Sequence, residues 1–307
     1  AEHAQAYSVY LELFTLEPSF TPRPPHRSAL RFVAMKPSQS DRRLGELVCY
    51  PVFAVLLWAG YTFCSDGQFS GLLTAGAGVQ LLANVLLLAR VGCARKASGI
   101  STRSLHLQVL GLALRLSATC RFRGYTPVDS SGQFLYQGIE GCSAVVLLGC
   151  LFCMHSGRVV PRGSADLEPE WPAGKVLVVC AVVGFFLRPQ LNNRVVADTC
   201  WSVALWCDTA ACLPQILLIS KRSAVDGLTA HSMATAFAAK CLAAFFWIAV
   251  YDELDARVSW NYPGYAIVIA FITQMIVSVD FMITYFRNIR QHTSSITAEV
   301  PLQVFDF

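Results

Sequence analysis

Charged residues are scarce in this sequence: they make up 14% of its 307 residues, whereas a soluble domain usually carries about 25%. Hydrophobic residues make up 54%, and the mean hydropathy is +0.48. The composition therefore excludes an ordinary soluble domain and indicates a protein whose surface contacts membrane lipid. The net charge of +4 is too small to indicate a nucleic-acid partner.

The sequence also lacks the motifs of catalysis and of metal binding. It has no nucleophile–base pair and no phosphate-binding glycine loop, so we expect neither enzymatic activity nor a cofactor. The 12 cysteines mostly stand singly inside apolar segments, where they act as small hydrophobic side chains. Cys150 and Cys153 have the CxxC spacing, but no second pair follows at zinc-ligand spacing, so we expect no metal site.

Eight apolar runs are the main feature that is present. Most reach the length that crosses a hydrocarbon core of ~30 Å, and the run Lys175–Leu187 is marginal. Each is predicted as a helix, because an isolated strand cannot satisfy its backbone in lipid. The runs are Leu44–Cys64, Gly71–Ala89, Ser104–Cys120, Gln133–Met154, Lys175–Leu187, Asp198–Ser220, His231–Tyr251 and Tyr262–Phe286.

The distribution of lysine and arginine predicts the orientation of these helices. Most of the 24 basic residues fall in alternate loops and in the amino-terminal tail, so the positive-inside rule places both termini in the cytosol or its topological equivalent. Residues 1–43 are polar, basic and rich in proline, and are predicted as a tail rather than a domain. Residues 291–307 are predicted as a carboxyl-terminal tail.

Two short segments of the sequence resemble each other. Residues 99–105 (GISTRSL) and 227–233 (GLTAHSM) each follow a basic turn and open an apolar run on the same predicted side of the membrane. This placement predicts a duplicated three-helix unit. Repeats of this kind commonly enclose a site near the midplane, at their interface.

Several polar residues lie within the predicted spans. A charge there costs about 2.5–3.5 kcal/mol or more, so each is a functional candidate. The alternative is that these residues only pair with one another, for example Asp208 with Lys240. Pro214 and Gln215 stand together at a plausible hinge. The intramembrane candidates are Glu140, Asp208, Pro214, Gln215, Lys240 and Asp280.

Two blocks of sequence resemble the KDEL receptors, a seven-helix family related to PQ-loop and SWEET transporters. One block is residues 96–101 (KASGIS), followed by Arg115. The other comprises residues 201–208, 213–215 and 220–221, followed by His231 and Trp247, and Asp280 in the last span also fits. The resemblance covers about residues 71–290. It implies an all-α membrane protein, a seven-helix bundle of two three-helix repeats. Residues 44–64 would then form an extra amino-terminal transmembrane helix.

The resemblance also implies a function. KDEL receptors bind the carboxyl-terminal tetrapeptide of escaped lumenal proteins, an address read by a receptor, and return them from the Golgi to the endoplasmic reticulum. It therefore implies an integral membrane protein of the ER and Golgi whose partners are lipids and such peptides. The residues that fall on the family's peptide-binding positions are Arg115, Asp198, Lys240 and Trp247.

Other positions depart from the family's pattern. Glu140 is acidic where the family is apolar or neutral. Where the family carries arginine, histidine, aspartate or tyrosine, this chain has Leu73, Gln80, Ala118, Ala239, Ala243 and Val250. An unpaired charged group of a bound peptide costs about 1–3 kcal/mol or more, so we expect weakened capture of a KDEL-type end.

Two other functions are compatible with the sequence. The fold could serve as a non-catalytic accessory subunit of a photosynthetic or respiratory complex in a plastid or mitochondrial membrane, with other subunits bound through residues 1–64. Alternatively, Pro214 and Gln215, together with the intramembrane ions, suggest a small-solute transporter of the PQ-loop or SWEET class.

Overall fold

The computed structural model describes only part of the chain. The described residues are 50–55, 58–59, 62, 71–95, 97–122, 125, 130–156, 172–189, 194–220, 224–251, 261–291 and 300–301. The predicted amino-terminal tail, most of the predicted carboxyl-terminal tail and much of the first apolar run lie outside them. Within that first run, residues 50–55, 58–59 and 62 are helical.

In the described part of the chain, seven further helices coincide with the remaining apolar runs, so the prediction of helices there is confirmed. Two two-residue strands, β1 (Ala224–Val225) and β2 (Val300–Pro301), pair antiparallel with Ala224 opposite Pro301. The helices are α1 (Gly71–Ala94), α2 (Thr102–Thr119), α3 (Ser130–His155), α4 (Ala173–Phe186), α5 (Val195–Ser220), α6 (Gly227–Val250) and α7 (Tyr262–Gln291).

Five of these helices, namely α1, α3, α5, α6 and α7, are long and apolar enough to cross a membrane. The marginal run is indeed short: α4 has 14 residues and is about 21 Å long at 1.5 Å per residue. Helix α2 has 18 residues but a more polar composition, because it carries side chains that bond to α5 rather than face lipid. Large apolar side chains are exposed on the outside of the bundle, as a lipid-facing surface requires.

The packing of the helices shows the predicted duplication. Helix α2 packs against α5, and α6 packs against α1. The hydroxyl of Ser104 donates to the carbonyl of Ala211 across the first contact at 2.7 Å, and Ser232 donates to Ala83 across the second at 2.8 Å. The separation in sequence between Ser104 and Ser232 equals that between Ala83 and Ala211. The two hydrogen bonds therefore occupy equivalent positions in the two copies of the repeat.

Polar contacts tie the bundle together at the end that carries the basic loops. The Gln215 side chain accepts a hydrogen bond from the Ser101 amide and donates one to the Gly99 carbonyl, each at 2.8 Å. Gly99 has φ of 83°, a left-handed conformation that favours glycine. Nearby, buried Arg90 forms an ion pair with Asp226, with Nε and Oδ2 2.7 Å apart. The two hydrogen bonds of Gln215 hold the turn at Gly99 and Ser101, where the first copy of the repeated motif begins.

The contact between α4 and α5 at Gly184 yields a stability prediction. A Cβ atom at Gly184 would lie 2.6 Å from Cγ2 of Val203 and 2.8 Å from its backbone, whereas one at Gly174, in the same helix, would meet nothing within 4 Å. We expect Gly184→Ala to destabilise the protein by about 1–3 kcal/mol through overpacking, seen as a lower Tm in detergent. Gly174→Ala is the matched control and should not lower the Tm. Equal melting of the two variants would contradict the observed α4–α5 contact.

Candidate functional site

Two adjoining cavities lie among the helices of the two repeats. The outer cavity, of about 70 Å³, lies toward the end opposite the basic loops, and the inner cavity, of about 130 Å³, lies toward them. Four polar residues line both cavities and mark the boundary between them: Gln80, Arg115, Asp208 and Lys240. Two repeats and a polar midplane site between them are the arrangement that the duplicated motif predicts.

Three charged side chains from three helices meet at the floor of the outer cavity. Arg115 of α2 lies between Glu140 of α3 and Asp208 of α5. Its Nε is 2.5 Å from Glu140 Oε1, and its Nη1 donates to Asp208 Oδ2 at 2.8 Å. Both carboxylates are buried. A guanidinium can satisfy two carboxylates at once because its donors point in different directions.

Local sequence explains how these side chains reach one another. Gly111 stands one helical turn before Arg115, and a Cβ there would lie 2.9 Å from Asp208 Oδ1 and 3.2 Å from the Ala204 carbonyl. The missing side chain thus lets α2 and α5 approach. On α3, Tyr136 stands four residues before Glu140, on the same helix face, and its hydroxyl donates to Glu140 Oε1 at 2.8 Å.

Lys240 of α6 lines both cavities at the level of these ions. Among the described residues it forms neither a hydrogen bond nor an ion pair. The example pairing of Asp208 with Lys240 is therefore wrong: Asp208 binds Arg115 instead, because Gly111 brings α2 close to it. Lys240 keeps an ammonium group available at the floor of the outer cavity.

Three buried acceptor atoms that belong to residues lining the outer cavity have no hydrogen-bond partner within the described part of the chain. They are Gln80 Oε1, Glu140 Oε2 and Gln274 Oε1. The amide nitrogens of the two glutamines are engaged, with Asn84 at 3.2 Å and Thr209 at 2.9 Å. Buried polar atoms normally have a partner, so these acceptors indicate a ligand or water that donates hydrogen bonds.

Aromatic rings form the wall of the outer cavity away from the ions. Trp201 stacks on Tyr125 with ring centroids 6.2 Å apart, and meets Trp247 edge-on at 5.3 Å. Asp198 lies behind this wall, buried, and accepts a hydrogen bond from the Tyr125 hydroxyl at 2.7 Å. It lines neither cavity and positions the ring of Tyr125.

Comparison with known proteins gives the family. The model of the family described as ER lumen protein retaining receptor matches residues 96–250, just over half of the chain. The chain belongs to this family. It is 23% identical over 221 residues to ER lumen protein-retaining receptor A of Arabidopsis thaliana. That match covers 71% of this chain and 94% of the Arabidopsis protein. It is also 24% identical over 215 residues to ER lumen protein-retaining receptor erd-2.2 of Caenorhabditis elegans. That match covers 69% of this chain and 91% of the Caenorhabditis protein.

Positions that the resemblance singled out converge on the outer cavity of this family member. Arg115, Lys240 and Trp247 line it, whereas Asp198 does not line it and bonds to Tyr125, which does. Four positions that depart from the family's pattern also line it: Leu73, Gln80, Ala239 and Ala243. The departures that the resemblance implies therefore lie in the lining of the cavity itself.

The remaining intramembrane candidates lie elsewhere. Gln215 lines the inner cavity, next to Pro214, which lies inside α5 without ending it. Asp280 is exposed on α7 and lines neither cavity. Sequence reasoning missed Tyr136 and Gln274. The four-residue spacing of Tyr136 from Glu140 and the buried amide of Gln274 in an apolar span were the signals that could have found them.

The three-ion cluster predicts the effect of removing its centre. Arg115→Met leaves Glu140 and Asp208 buried without their cation, which should cost about 3–5 kcal/mol of stability. Adding Glu140→Gln should restore part of the loss, since one unpaired carboxylate then remains. Thermal unfolding in detergent measures both effects.

Arg121→Met is the matched control for this test, because Arg121 is exposed just beyond the end of α2. It removes the same charge outside the cluster and should melt like the wild type. A wild-type Tm for Arg115→Met would show that the cluster does not stabilise the bundle.

Proposed function

We propose that this protein is a divergent retention receptor whose outer cavity binds the free carboxyl terminus of a lumenal peptide. The observation that carries the proposal is Lys240, an ammonium group without a partner among the described residues, at the floor of a cavity with an aromatic wall. A carboxylate at Lys240 would form a charge-assisted hydrogen bond, roughly twice as strong as a neutral one.

The unpaired acceptors support a peptide rather than a simple anion. Gln80, Glu140 and Gln274 each present an oxygen that needs a donor, and the amide N–H groups next to a terminal carboxylate are such donors. The small volume of about 70 Å³ suits the very end of a chain rather than a whole drug-sized ligand, for which pockets of about 300–1,000 Å³ are usual.

The setting of the cavity supports the retrieval role that the family names suggest. The outer cavity lies at the end of the bundle opposite the basic loops, so the positive-inside rule turns it toward the lumen. We place the protein in the membranes of the ER and Golgi, where it would carry its peptide-bearing cargo in retrograde transport.

Peptide binding tests this function directly. The probes are fluorescent peptides ending in Lys-Asn-Gln-Leu or Lys-Asp-Glu-Leu, each with a free or an amidated terminus, added to the purified full chain in detergent. We expect at least one free-acid peptide to bind and both amides to fail. Lys240→Met should weaken binding about 30-fold, the loss expected when one member of a buried charge pair is removed.

The matched control is Lys175→Met, since Lys175 is exposed at the start of α4 and lines neither cavity. It should bind like the wild type. Equal binding of amidated and free peptides, or undiminished binding by a folded Lys240→Met variant, would rule out the proposed carboxylate site.

A further inference from the structure

We infer that the outer cavity selects carboxyl-terminal peptides that lack acidic side chains near their end, and that Glu140 sets this selection. The inference rests on the proposed function, because it concerns which peptides the same cavity accepts. Glu140 would set the specificity by neutralising Arg115, and it would not contact the terminal carboxylate itself.

Arg115 has no positive charge left over for a ligand. Its guanidinium already meets two carboxylates, Glu140 at 2.5 Å and Asp208 at 2.8 Å. The cluster of three therefore carries one net negative charge. An acidic side chain of a peptide that approached Arg115 would also approach both carboxylates, and like charges brought together in a buried site repel one another strongly.

The other cation of the lining offers a single positive charge. Lys240 is the one cationic side chain lining the outer cavity, in the described part of the chain, that has no counter-ion there. One ammonium group can neutralise the terminal carboxylate, and no second charge then remains for an acidic side chain. With Arg115, Lys240, Glu140 and Asp208 together, the formal charge of the lining is zero before a ligand binds.

The hydrogen-bonding atoms of the lining also distinguish the two kinds of peptide. Apart from Arg115 Nε, which is ion-paired with Glu140, the unpaired atoms that belong to the lining residues in the described part of the chain are acceptors: Gln80 Oε1, Glu140 Oε2 and Gln274 Oε1. An ionised acidic side chain can only accept, so it would leave them unpaired, whereas a carboxamide or hydroxyl side chain can donate to them. Charge and hydrogen bonding therefore favour the same peptides.

An isosteric pair of peptides tests the selection in the wild-type chain. Lys-Asn-Gln-Leu and Lys-Asp-Glu-Leu termini differ only by two amide groups in place of two carboxylates. We expect the amide-bearing peptide to bind at least about tenfold more tightly. Equal or tighter binding of the acidic peptide would overturn the inference, while leaving the carboxylate site intact.

Glu140→Gln tests the residue responsible. Removing this carboxylate leaves Arg115 paired with Asp208 alone, so affinity for the acidic peptide should rise about tenfold relative to affinity for the amide-bearing one. Binding of the amide-bearing peptide and the Tm show that the variant is folded. A folded variant with unchanged discrimination would contradict the assigned role of Glu140.

Asp280→Asn is the matched control. It also removes one negative charge from a membrane-spanning helix, but Asp280 is exposed and lines neither cavity, so discrimination should stay at the wild-type value. Failure of both free-acid peptides to bind the wild type would count against the proposed function itself, and that outcome is distinct from loss of selectivity.

Discussion

The contact of Arg115 with Glu140 and Asp208 is the constraint on which the centre of the bundle depends. Moving three ions out of water costs several kcal/mol for each of them, and mutual attraction offsets that cost only in close geometry. The close geometry requires Gly111, which lets α2 approach α5. Three helices are thereby fixed at one level, and the floor of the outer cavity is fixed with them.

The duplicated architecture makes the distribution of charge around this cluster informative. The spacing that relates Ser104 to Ser232 also relates Gln80 of α1 to Asp208 of α5. Equivalent positions of the two repeats thus carry a neutral amide on one side and a carboxylate on the other. A symmetric scaffold has become an asymmetric site, in which Gln80 is a hydrogen-bonding group and Asp208 holds a cation.

The helices could be predicted from the sequence because lipid imposes length and hydropathy on each span. Each of the seven helices extends beyond its apolar run at one end or at both, since polar residues can be helical too: Thr102 begins α2 two residues before the run does. The candidate ions could likewise be found from their depth in the membrane. The sequence could not predict that Asp208 pairs with Arg115 rather than with Lys240. That pairing depends on how closely α2 and α5 pack, and Gly111 decides the distance between them.

The polar contacts at the basic end bear on how this scaffold works. Gln215, which the sequence presents as a hinge residue, uses both ends of its amide to hold Gly99 and Ser101. The Arg90–Asp226 ion pair and the β1–β2 pairing lie at the same end. A transporter would have to break these contacts together to release a solute there. A receptor that binds and releases its ligand through the outer cavity leaves them intact, so the bonds of Gln215 favour a receptor over a transporter.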